Sequence, residues 1–450
     1  MSELPGGISI SQFRFLSCSY NQVSGEAILG YSFDDGEEFF ERLRFPYKPW
    51  PSEPSRQVAF DKALTLLHLV AGVSYYKACV PEQMDTGDHQ IDHVMADFLN
   101  QLYIKGLAEF AYTNELELES KVNFAVKSPG KNGAGFEPTE LDLPERSLVA
   151  MGGGKDSLVS LEMLRGAGLE IQPICVGQSE LIAQTVRAAG LPLIQIEREL
   201  SPALIKMNEA GALNGHVPVT AINSAILLCA SILYGYRWIV FSNESSADEA
   251  TLVDADGIHI NHQYSKSLEF EIEFQNVICR QISPGIGYFS LLRPLNELSI
   301  AQRFSRLDRY HAAFSSCNRN FHLDGPRISD RWCGDCPKCR FTSLALAPFL
   351  SADELVSIMG QNLLDVPAQE QGFRALCRLG VEKPFECVGS VDESRAAMLH
   401  LSTLDSWKGS SIVQVLAQDL AALNVPDFET MLKVKSDHRI PPGVFQDVAL

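Results

Sequence analysis

The chain lacks the segments that carry a protein into or across a membrane. Its first 7 residues hold no basic cluster followed by an apolar run, so we expect no secretion signal. The most apolar stretch, Val217–Tyr236, is interrupted by Thr220, Asn223 and Ser224, and it therefore predicts a buried core helix and not a membrane span. These absences predict a soluble cytoplasmic protein without a membrane partner.

Cysteine and basic residues are also scarce. Eleven cysteines among 450 residues are too few for a disulfide scaffold, and four of them stand at metal-like spacing, which is typical of a reducing compartment. The formal net charge is −19, from 56 acidic and 37 basic residues, whereas tRNA or DNA would need a basic surface. We therefore expect no nucleic-acid partner. A small anionic substrate would need only a few well-placed arginines.

The order of apolar and polar residues predicts an α/β protein in three parts. Residues 1–140 are expected to form an N-terminal α+β domain, which ends in the breaker-rich segment 127–138. In residues 141–345 strands alternate with helices, which predicts right-handed βαβ units and a parallel sheet with helices on both faces. Residues 346–450 predict a helical C-terminal region without recognised chemistry. The strands of the middle part are expected at 147–151, 171–176, 193–196 and 238–241.

A glycine-rich loop lies between the first of these strands and the helix that follows it. Its residues are Gly152, Gly153, Gly154, Lys155, Asp156 and Ser157. A loop in this position offers backbone amides and a helix N-terminus, and glycines let phosphate oxygens approach without Cβ clashes. A Walker loop is excluded because Asp156 follows Lys155 and Val149 occupies the place of its first glycine. A dinucleotide fingerprint is excluded because position 157 is a serine.

This loop resembles the Ser-Gly-Gly-x-Asp-Ser loop of the ATP-pyrophosphatase (PP-loop) superfamily. The resemblance implies that the loop grips the pyrophosphate end of ATP while a substrate oxygen attacks the α-phosphate, which gives an adenylated substrate and pyrophosphate. It also implies that Asp156 serves a Mg²⁺–pyrophosphate complex and that Ser157 hydrogen-bonds a phosphate oxygen. Val176, at the end of the second strand, would lie near the adenine and ribose. Gly152 stands where the superfamily usually has serine, so one hydroxyl contact is absent here.

Four cysteines further along the chain have the spacing of a metal centre. Cys333, Cys336 and Cys339 form a C-x2-C-x2-C knuckle, and Cys317 lies upstream with 15 residues between it and Cys333. Four thiolates at such spacing predict a closed, tetrahedral Zn²⁺ site that supports structure. An iron–sulfur cluster is the alternative, because ferredoxins share C-x2-C-x2-C, although Arg340 replaces the proline that follows their last cysteine.

A more specific resemblance covers most of the chain. The segments HLVAGVSYYK (68–77), GGGKDS (152–157), LRPLNELS (292–299) and WCGDCPKCR (332–340) together resemble the bacterial UDP-N-acetylmuramoyl-L-alanyl-L-glutamate epimerase (MurL) family. This resemblance implies an enzyme of peptidoglycan precursor synthesis that needs ATP and Mg²⁺ and takes UDP-MurNAc-L-Ala-L-Glu as its substrate. It implies inversion of the terminal L-glutamate to D-glutamate, with release of AMP and pyrophosphate. The alternatives are a PP-loop ligase that joins an amine to the adenylated carboxylate, and a nucleotide-sensing module, which the Asp-Ser end of the loop disfavours.

An epimerase of this kind needs groups that move a proton. Adenylation cancels the charge of the carboxylate and makes its carbonyl an electron sink, so that a base on one face and an acid on the other can exchange the α-proton. The candidates for these groups are His216, His259, His262, Tyr264 and Lys266. The candidates for binding the substrate carboxylate or diphosphate are Arg293, Arg327 and Arg331. A single histidine is more often structural, and each arginine could instead belong to a surface or an ion pair.

Overall fold

The computed structural model describes residues 2–4, 8–46, 50–127, 137–248, 252–253, 259–261, 263–320, 330–384, 386 and 388–448. Its N-terminal part combines strands and helices. These elements are β1 (Ser2–Leu4), β2 (Ile8–Ile10), β3 (Gln12–Asn21), β4 (Glu26–Phe33), β5 (Glu38–Arg44), α1 (Pro54–Ala71), α2 (Val73–Tyr76), β6 (Gln83–Asp85), α3 (His93–Gly106) and α4 (Ala108–Thr113). Every second residue of β5 is buried, as expected for a strand with one face on a core.

Strands and helices alternate through the middle of the chain. The elements are β7 (Arg146–Ala150), α5 (Lys155–Gly166), β8 (Glu170–Val176), α6 (Glu180–Ala189), β9 (Ile194–Glu199), α7 (Pro202–Glu209), α8 (Val219–Tyr234), β10 (Trp238–Phe241), β11 (Leu252–Val253), β12 (His259–Ile260), α9 (Leu268–Val277), β13 (Gly287–Ser290), α10 (Glu297–Phe304) and α11 (Pro337–Leu346). The four strands expected from the sequence correspond to β7, β8, β9 and β10, which confirms that part of the prediction.

Helices are the main elements of the described residues beyond α11. They are α12 (Ala352–Met359), α13 (Glu370–Leu376), α14 (Val391–Leu401), α15 (Ser411–Leu420), α16 (Phe428–Met431) and α17 (Pro442–Asp447). Ser351 begins α12 and Ser390 begins α14, each in a capping box with the glutamate three residues later, Glu354 or Glu393. Serine and glutamate at this spacing satisfy amides that would otherwise lack partners at the start of a helix.

The large sheet has nine strands in the order β13-β10-β7-β8-β9-β5-β4-β3-β6. The five strands from β13 to β9 are parallel, as the alternating pattern predicts. The sheet as a whole is mixed, because β5 pairs antiparallel with β9 and brings the N-terminal strands into the same sheet. The α/β class is therefore confirmed, while the three-part domain boundaries stay a prediction.

A buried ion pair accompanies the pairing of β5 with β9. The Nε of Arg198 lies 2.7 Å from Oε1 of Glu41, whose side chain is 0% exposed. A buried charge is tolerated when it is paired and hydrogen-bonded, and both conditions hold here. Glu41 and Arg198, which are 157 positions apart in the sequence, thus meet where the N-terminal strands join the parallel strands.

The longest helices are buried between the sheet and the rest of the molecule. Nearly every residue of α8 is buried, which confirms the core helix predicted from Val217–Tyr236. Within the described ranges, one helical segment, Pro54–Tyr76, is long and apolar enough to cross a membrane, but 78% of its most apolar window is buried inside the protein. Burial of this extent is what a core helix shows.

Candidate active site

Three neighbouring parallel strands end at one edge of the sheet and deliver the residues of a polar cleft. The loop after β7 supplies residues 152–157, the loop after β10 supplies 242–248, and the turn after β13 leads into α10. Ligands of open α/β sheets bind at the carboxyl ends of the strands. The cleft is lined by Lys155, Asp156, Ser242, Asn243, Glu244, Ala247, Gln263, Lys266, Glu297, Ser316, Lys338, Phe341 and Thr342.

The backbone of the glycine loop is shaped for a close approach. Gly153 has a φ of +76°, a conformation that side chains rarely adopt. A Cβ on Gly154 would lie 3.1 Å from the Oγ of Ser316, so the two loops are in close contact there. The helix α5 begins directly after Gly154 without a side-chain cap. Its N-terminus therefore retains the partial positive charge that suits an anion.

Lys155 of this loop is buried and held by two carboxylates. Its Nζ lies 2.6 Å from Oδ1 of Asp156 and also bonds Oε2 of Glu297. Burial alone would lower the pKa of Lys155, but the two carboxylates outweigh burial and raise it, so the ammonium group stays charged. The position of Lys155 agrees with a phosphate loop, whereas its partner Glu297 was not among the predicted site residues.

Three buried glutamates come together beside this lysine. Glu244 and Glu297 line the cleft, and the Oε1 of Glu393 from α14 accepts a hydrogen bond from the backbone N–H of Leu298, 3.2 Å away. Burial raises the pKa of Glu244 to about 7, and the charge of Glu393 adds to this rise. Burial also raises the pKa of Glu297, while the ammonium group of Lys155 opposes that rise. Burial, followed by the charge of Glu297, also raises the pKa of Glu393.

Sequence reasoning missed these glutamates for different reasons. Glu244 belongs to the polar and acidic segment 242–249, which follows a predicted strand. For any one residue of such a segment, a solvated surface loop is as good an interpretation as a binding site. Glu297 looks like an ordinary acidic residue in the first turn of a helix, and Glu393 like half of a capping box. Local patterns therefore explain each of them without a site, and only their proximity in space marks them as a group.

We expect the stability of the protein to fall with rising pH because of these groups. A carboxyl whose pKa is higher in the folded protein than in the unfolded chain binds more protons in the folded state. For Glu244, the resulting stabilisation is complete below pH 4.5, the pKa in the unfolded chain, and is lost as the pH rises through about 7, the pKa in the folded protein. Glu244→Gln cannot ionise but keeps an oxygen for the N–H of Ser246. Between pH 5 and pH 8 its free energy of unfolding should fall less than that of the wild type, by about 2 kcal/mol.

Urea unfolding at the two pH values measures this difference. Glu429→Gln, which changes an exposed glutamate on α16, is the matched control and should behave as the wild type. An equal fall in the wild type and in Glu244→Gln would contradict the assignment of the raised pKa.

The structure brings one of the predicted proton-transfer residues to the cleft. Lys266 lines it together with the glycine loop. Tyr264 lies on a neighbouring cavity of about 730 Å³, and its hydroxyl donates to Oε2 of Glu273 at 2.5 Å. Burial raises the pKa of Tyr264 strongly, and the charge of Glu273 adds to the rise, so the phenol stays protonated.

The three predicted histidines are placed differently. The Nδ1 of His216 lies 3.6 Å from Oε2 of Glu109 in α4, and the described lining of the cleft does not include it. The backbone of His259 pairs with Val253 between β12 and β11, but its side chain is not described. His262 lies outside the described residues. Their roles in proton transfer stay predictions.

Of the predicted arginines, Arg293 is held by the protein through both of its terminal nitrogens, while its buried Nε has no hydrogen-bond partner among the described residues. Its guanidinium donates to the carbonyl oxygens of Glu244 and Lys266, at 2.8 and 2.6 Å, and lies 3.2 Å from Oε2 of Glu271. With 1% of its side chain exposed, it holds the loops around the cleft together. This position gives Arg293 a supporting function, and a direct contact with substrate stays a prediction.

The other binding candidates lie around the cleft or beyond the described residues. Arg331 donates to the carbonyl oxygen of His311 at 3.2 Å, and Arg327 lies outside the described residues. Val176 ends β8 as predicted, but the described lining of the cleft does not reach it. The contacts of these three residues with a nucleotide or substrate stay predictions.

The four predicted cysteines converge beside the glycine loop. The sulfur atoms of Cys317, Cys333, Cys336 and Cys339 all lie within 4.8 Å of one another, and three of the pairs are separated by 3.5 to 3.9 Å. Four sulfurs bound to one Zn²⁺ at about 2.3 Å would lie about 3.8 Å apart in a tetrahedron. An iron–sulfur cluster distributes the four thiolates over two or more iron atoms, which moves the sulfurs on different irons further apart than this. The spacing therefore fits a single tetrahedral ion.

Hydrogen bonds connect the cysteine cluster to the glycine loop. The N–H of Ser315 donates to the carbonyl oxygen of Gly153 at 3.2 Å, and its Oγ accepts from the N–H of Cys317 at 3.0 Å. The same Oγ donates to the carbonyl oxygen of Arg331 at 2.6 Å. Ser315 thus connects the segment that contains Cys317 to the glycine loop by hydrogen bonds. The spacing of the cysteines in the sequence does not predict this connection.

Comparison with known proteins gives one consistent family. Sequence models described as the MurL N-terminal domain and the MurL C-terminal domain match residues 7–291 and 313–430. Relatives named UDP-N-acetyl-alpha-D-muramoyl-L-alanyl-L-glutamate epimerase are similar over most of the chain. The one from Xanthomonas oryzae pv. oryzae (strain MAFF 311018) is 44% identical over 98% of this chain and 97% of its own length. The relative from Salinispora tropica is 42% identical over 90% of this chain and 88% of its own length. The relative from Micromonospora sp. is 39% identical over 96% of this chain and 96% of its own length.

Proposed function

The chain belongs to the MurL family, and on this basis we propose that it is an isomerase that acts on UDP-MurNAc-L-Ala-L-Glu. The terminal L-glutamate becomes D-glutamate, ATP is consumed with Mg²⁺, and AMP and pyrophosphate are released. The reaction would serve peptidoglycan synthesis in the cytoplasm, without a nucleic-acid or membrane partner. The observation that carries the proposal is that the glycine loop meets two glutamates and two lysines from other elements in one cleft.

The proposed nucleotide site is a PP-loop formed by residues 152–157. Two features support it: the uncapped N-terminus of α5 and the close approach at Gly154, where a side chain would crowd the loop. Backbone amides at such a helix start bind phosphate oxygens. Ser157 lies within this turn, where its Oγ donates to the carbonyl oxygen of Gly154 at 3.2 Å and accepts from the N–H of Gly152 at 3.4 Å. Its proposed hydrogen bond to a phosphate oxygen would replace the one to Gly154.

The acidic side chains of the cleft fit a Mg²⁺ ion. Mg²⁺ prefers carboxylate oxygens and shares them with substrate phosphates, and Asp156 and Glu297 offer such oxygens beside the loop. Once bound, the ion would neutralise the charge of the leaving pyrophosphate. Without a cation, the buried carboxylates near Lys155 would repel a polyphosphate. We therefore assign Asp156 to Mg²⁺, in agreement with the resemblance of the loop.

Adenylation explains why an epimerase would consume ATP. A proton next to an ionised carboxylate is hard to remove because the carbanion would form beside a negative charge. The mixed anhydride with AMP carries no such charge on its carbonyl group, so the α-proton becomes more acidic, and each unit of acidity gained lowers the barrier by about 1.4 kcal/mol. Water must then cleave the adenylate to release the inverted product.

Lys266 is the proposed proton-transfer residue with the best structural support, because it lines the cleft that contains the glycine loop. A lysine or histidine can serve as acid or base when its pKa lies near the working pH. His262, His259, Tyr264 and His216 remain proposed members of the pair. Arg293, Arg327 and Arg331 remain proposed substrate residues, with Arg293 acting through the loops that it holds.

We expect substrate turned over in D₂O to gain deuterium at the glutamate α-carbon, and only when ATP and Mg²⁺ are present. AMP should form in proportion to inverted glutamate, because each adenylate is hydrolysed once. Chiral analysis of the glutamate, mass spectrometry and nucleotide chromatography measure these quantities. Lys266→Met and His262→Gln should slow deuterium exchange while adenylate formation persists, since neither residue is proposed to bind phosphate.

Other outcomes separate the proposal from its alternatives. Exchange of the α-proton without ATP would contradict adenylation as the first step. A PP-loop ligase would change the mass of the substrate, whereas an epimerase inverts one stereocentre at constant mass. Binding of ATP without formation of AMP would instead indicate a nucleotide sensor.

Zn²⁺ is the proposed occupant of the four-cysteine cluster. The sulfur spacing supports a single tetrahedral ion, and four thiolate ligands leave no open position for catalysis. The proposed function of the ion is to hold the segments that contain Cys317 and Cys336 beside the glycine loop.

A further inference from the structure

The first turn of α11 places a lysine in the cleft beside the cysteine cluster. Lys338 lies between Cys336 and Cys339 and lines the same cleft as Lys155 and Glu297. Its side chain is half-buried, and within the described part of the chain it forms no ion pair. Lys155, in contrast, already has two carboxylate partners. Lys338 is therefore a cation of the cleft that is left for a ligand.

The position of Lys338 is unfavourable for the helix itself. A lysine in the first turn meets the positive end of the helix dipole, where acidic residues are preferred. Pro337 starts α11, which has no side-chain cap, so no acidic group of the cap offsets this charge. A cation in this place is explained more readily by an anion that it binds than by the stability of the helix.

The neighbouring segment brings this face of the cleft against the phosphate loop. Ser316 lines the cleft, and its Oγ would be 3.1 Å from a Cβ on Gly154. Cys317 follows Ser316 directly, and Cys336 lies two positions before Lys338. The cysteine cluster thus holds both Ser316 and Lys338 at the side of the loop where phosphates would bind.

We infer that Lys338 binds the phosphates of ATP held by the glycine loop, and that the four-cysteine centre positions it for this contact. The inference rests on the proposed function, since it requires ATP as a substrate. It gives the metal centre a part in nucleotide binding as well as in folding. A charge-assisted hydrogen bond of this kind changes affinity by about 10- to 100-fold.

Calorimetric titration of the full chain with α,β-methylene-ATP and Mg²⁺ tests the inference, because this analogue cannot be cleaved between its α- and β-phosphates. Lys338→Met and Lys338→Gln should weaken binding about 10-fold or more. Lys338→Arg, which keeps the charge, should retain most of the affinity. Lys408→Met changes an exposed lysine paired with Asp405 and should bind as the wild type. The metal content should be the same in all variants.

The other results would overturn the inference in distinguishable ways. Wild-type affinity in both neutral variants would remove Lys338 from the nucleotide site while leaving the proposed function intact. A parallel loss of metal and affinity in these variants would mean that Lys338 supports the metal centre and makes no direct phosphate contact. If the wild type itself did not bind the analogue, the proposed use of ATP and this inference would both fail.

Discussion

Asp156→Ala should reduce pyrophosphate release by about 100-fold or more while the protein stays folded. The substitution removes a carboxylate proposed to hold Mg²⁺ against the leaving pyrophosphate, and loss of one such electrostatic contact in a transition state has effects of this size. It also removes one of the two partners of Lys155, but Glu297 remains to pair with that lysine. A coupled assay with ATP, Mg²⁺ and UDP-MurNAc-L-Ala-L-Glu measures the release.

A control separates this effect from the stability of the helix. Glu180→Ala removes an acidic residue from the first turn of α6, so it tests the loss of a carboxylate at a helix N-terminus away from the cleft. We expect its pyrophosphate release to match the wild type. A folded Asp156→Ala protein that releases pyrophosphate at a near-normal rate would refute the PP-loop assignment.

Cys336→Ser should lose the metal and a large part of the stability of the protein. We expect about one zinc per chain in the wild type and almost none in the variant, because three cysteines leave the tetrahedral site open. Metal binding contributes directly to folding, so the free energy of unfolding should fall by about 4 kcal/mol or more. Elemental analysis and thermal unfolding measure the two effects.

Cys279→Ser is the matched control for this substitution. Cys279 is partly exposed and lies outside the cluster, so its replacement should change neither the zinc content nor the unfolding temperature appreciably. If elemental analysis found iron and the protein showed a visible charge-transfer band, the cluster would be an iron centre and the zinc assignment would be wrong. A wild-type protein without any bound metal would contradict a metal site altogether.

The glycine loop could be recognised from the sequence because its chemistry is local. A strand, a run of glycines and a helix follow one another directly, so the backbone proposed to bind phosphate is specified within a few residues. The C-x2-C-x2-C knuckle is local in the same sense. Strand periodicity likewise identified β7 to β10, since alternation or a short apolar run reflects burial of that strand alone.

The extent of the sheet depended on contacts that no local pattern contains. β5 pairs with β9 across more than 150 positions, and the ion pair between Glu41 and Arg198 forms only after the two strands meet. The sequence of either strand, taken alone, would also suit a strand at the edge of a separate sheet. The sequence therefore predicted four of the five parallel strands, but neither β13 nor the extension of the same sheet by the N-terminal strands.

The composition of the cleft was likewise decided by the tertiary structure. Glu297 lies 142 positions from Lys155. Ser316 and Lys338, which are close in sequence to cysteines of the cluster, line the same cleft. Arg293, a predicted substrate residue, is buried and donates to two loop carbonyls, which the sequence did not reveal. By itself the sequence determined which local segments are proposed to bind phosphate or a metal, because such binding depends on the local backbone and on closely spaced ligands. Which charged side chains share the cleft was decided only by folding, because such charges influence one another through distance in space, whatever their separation along the chain.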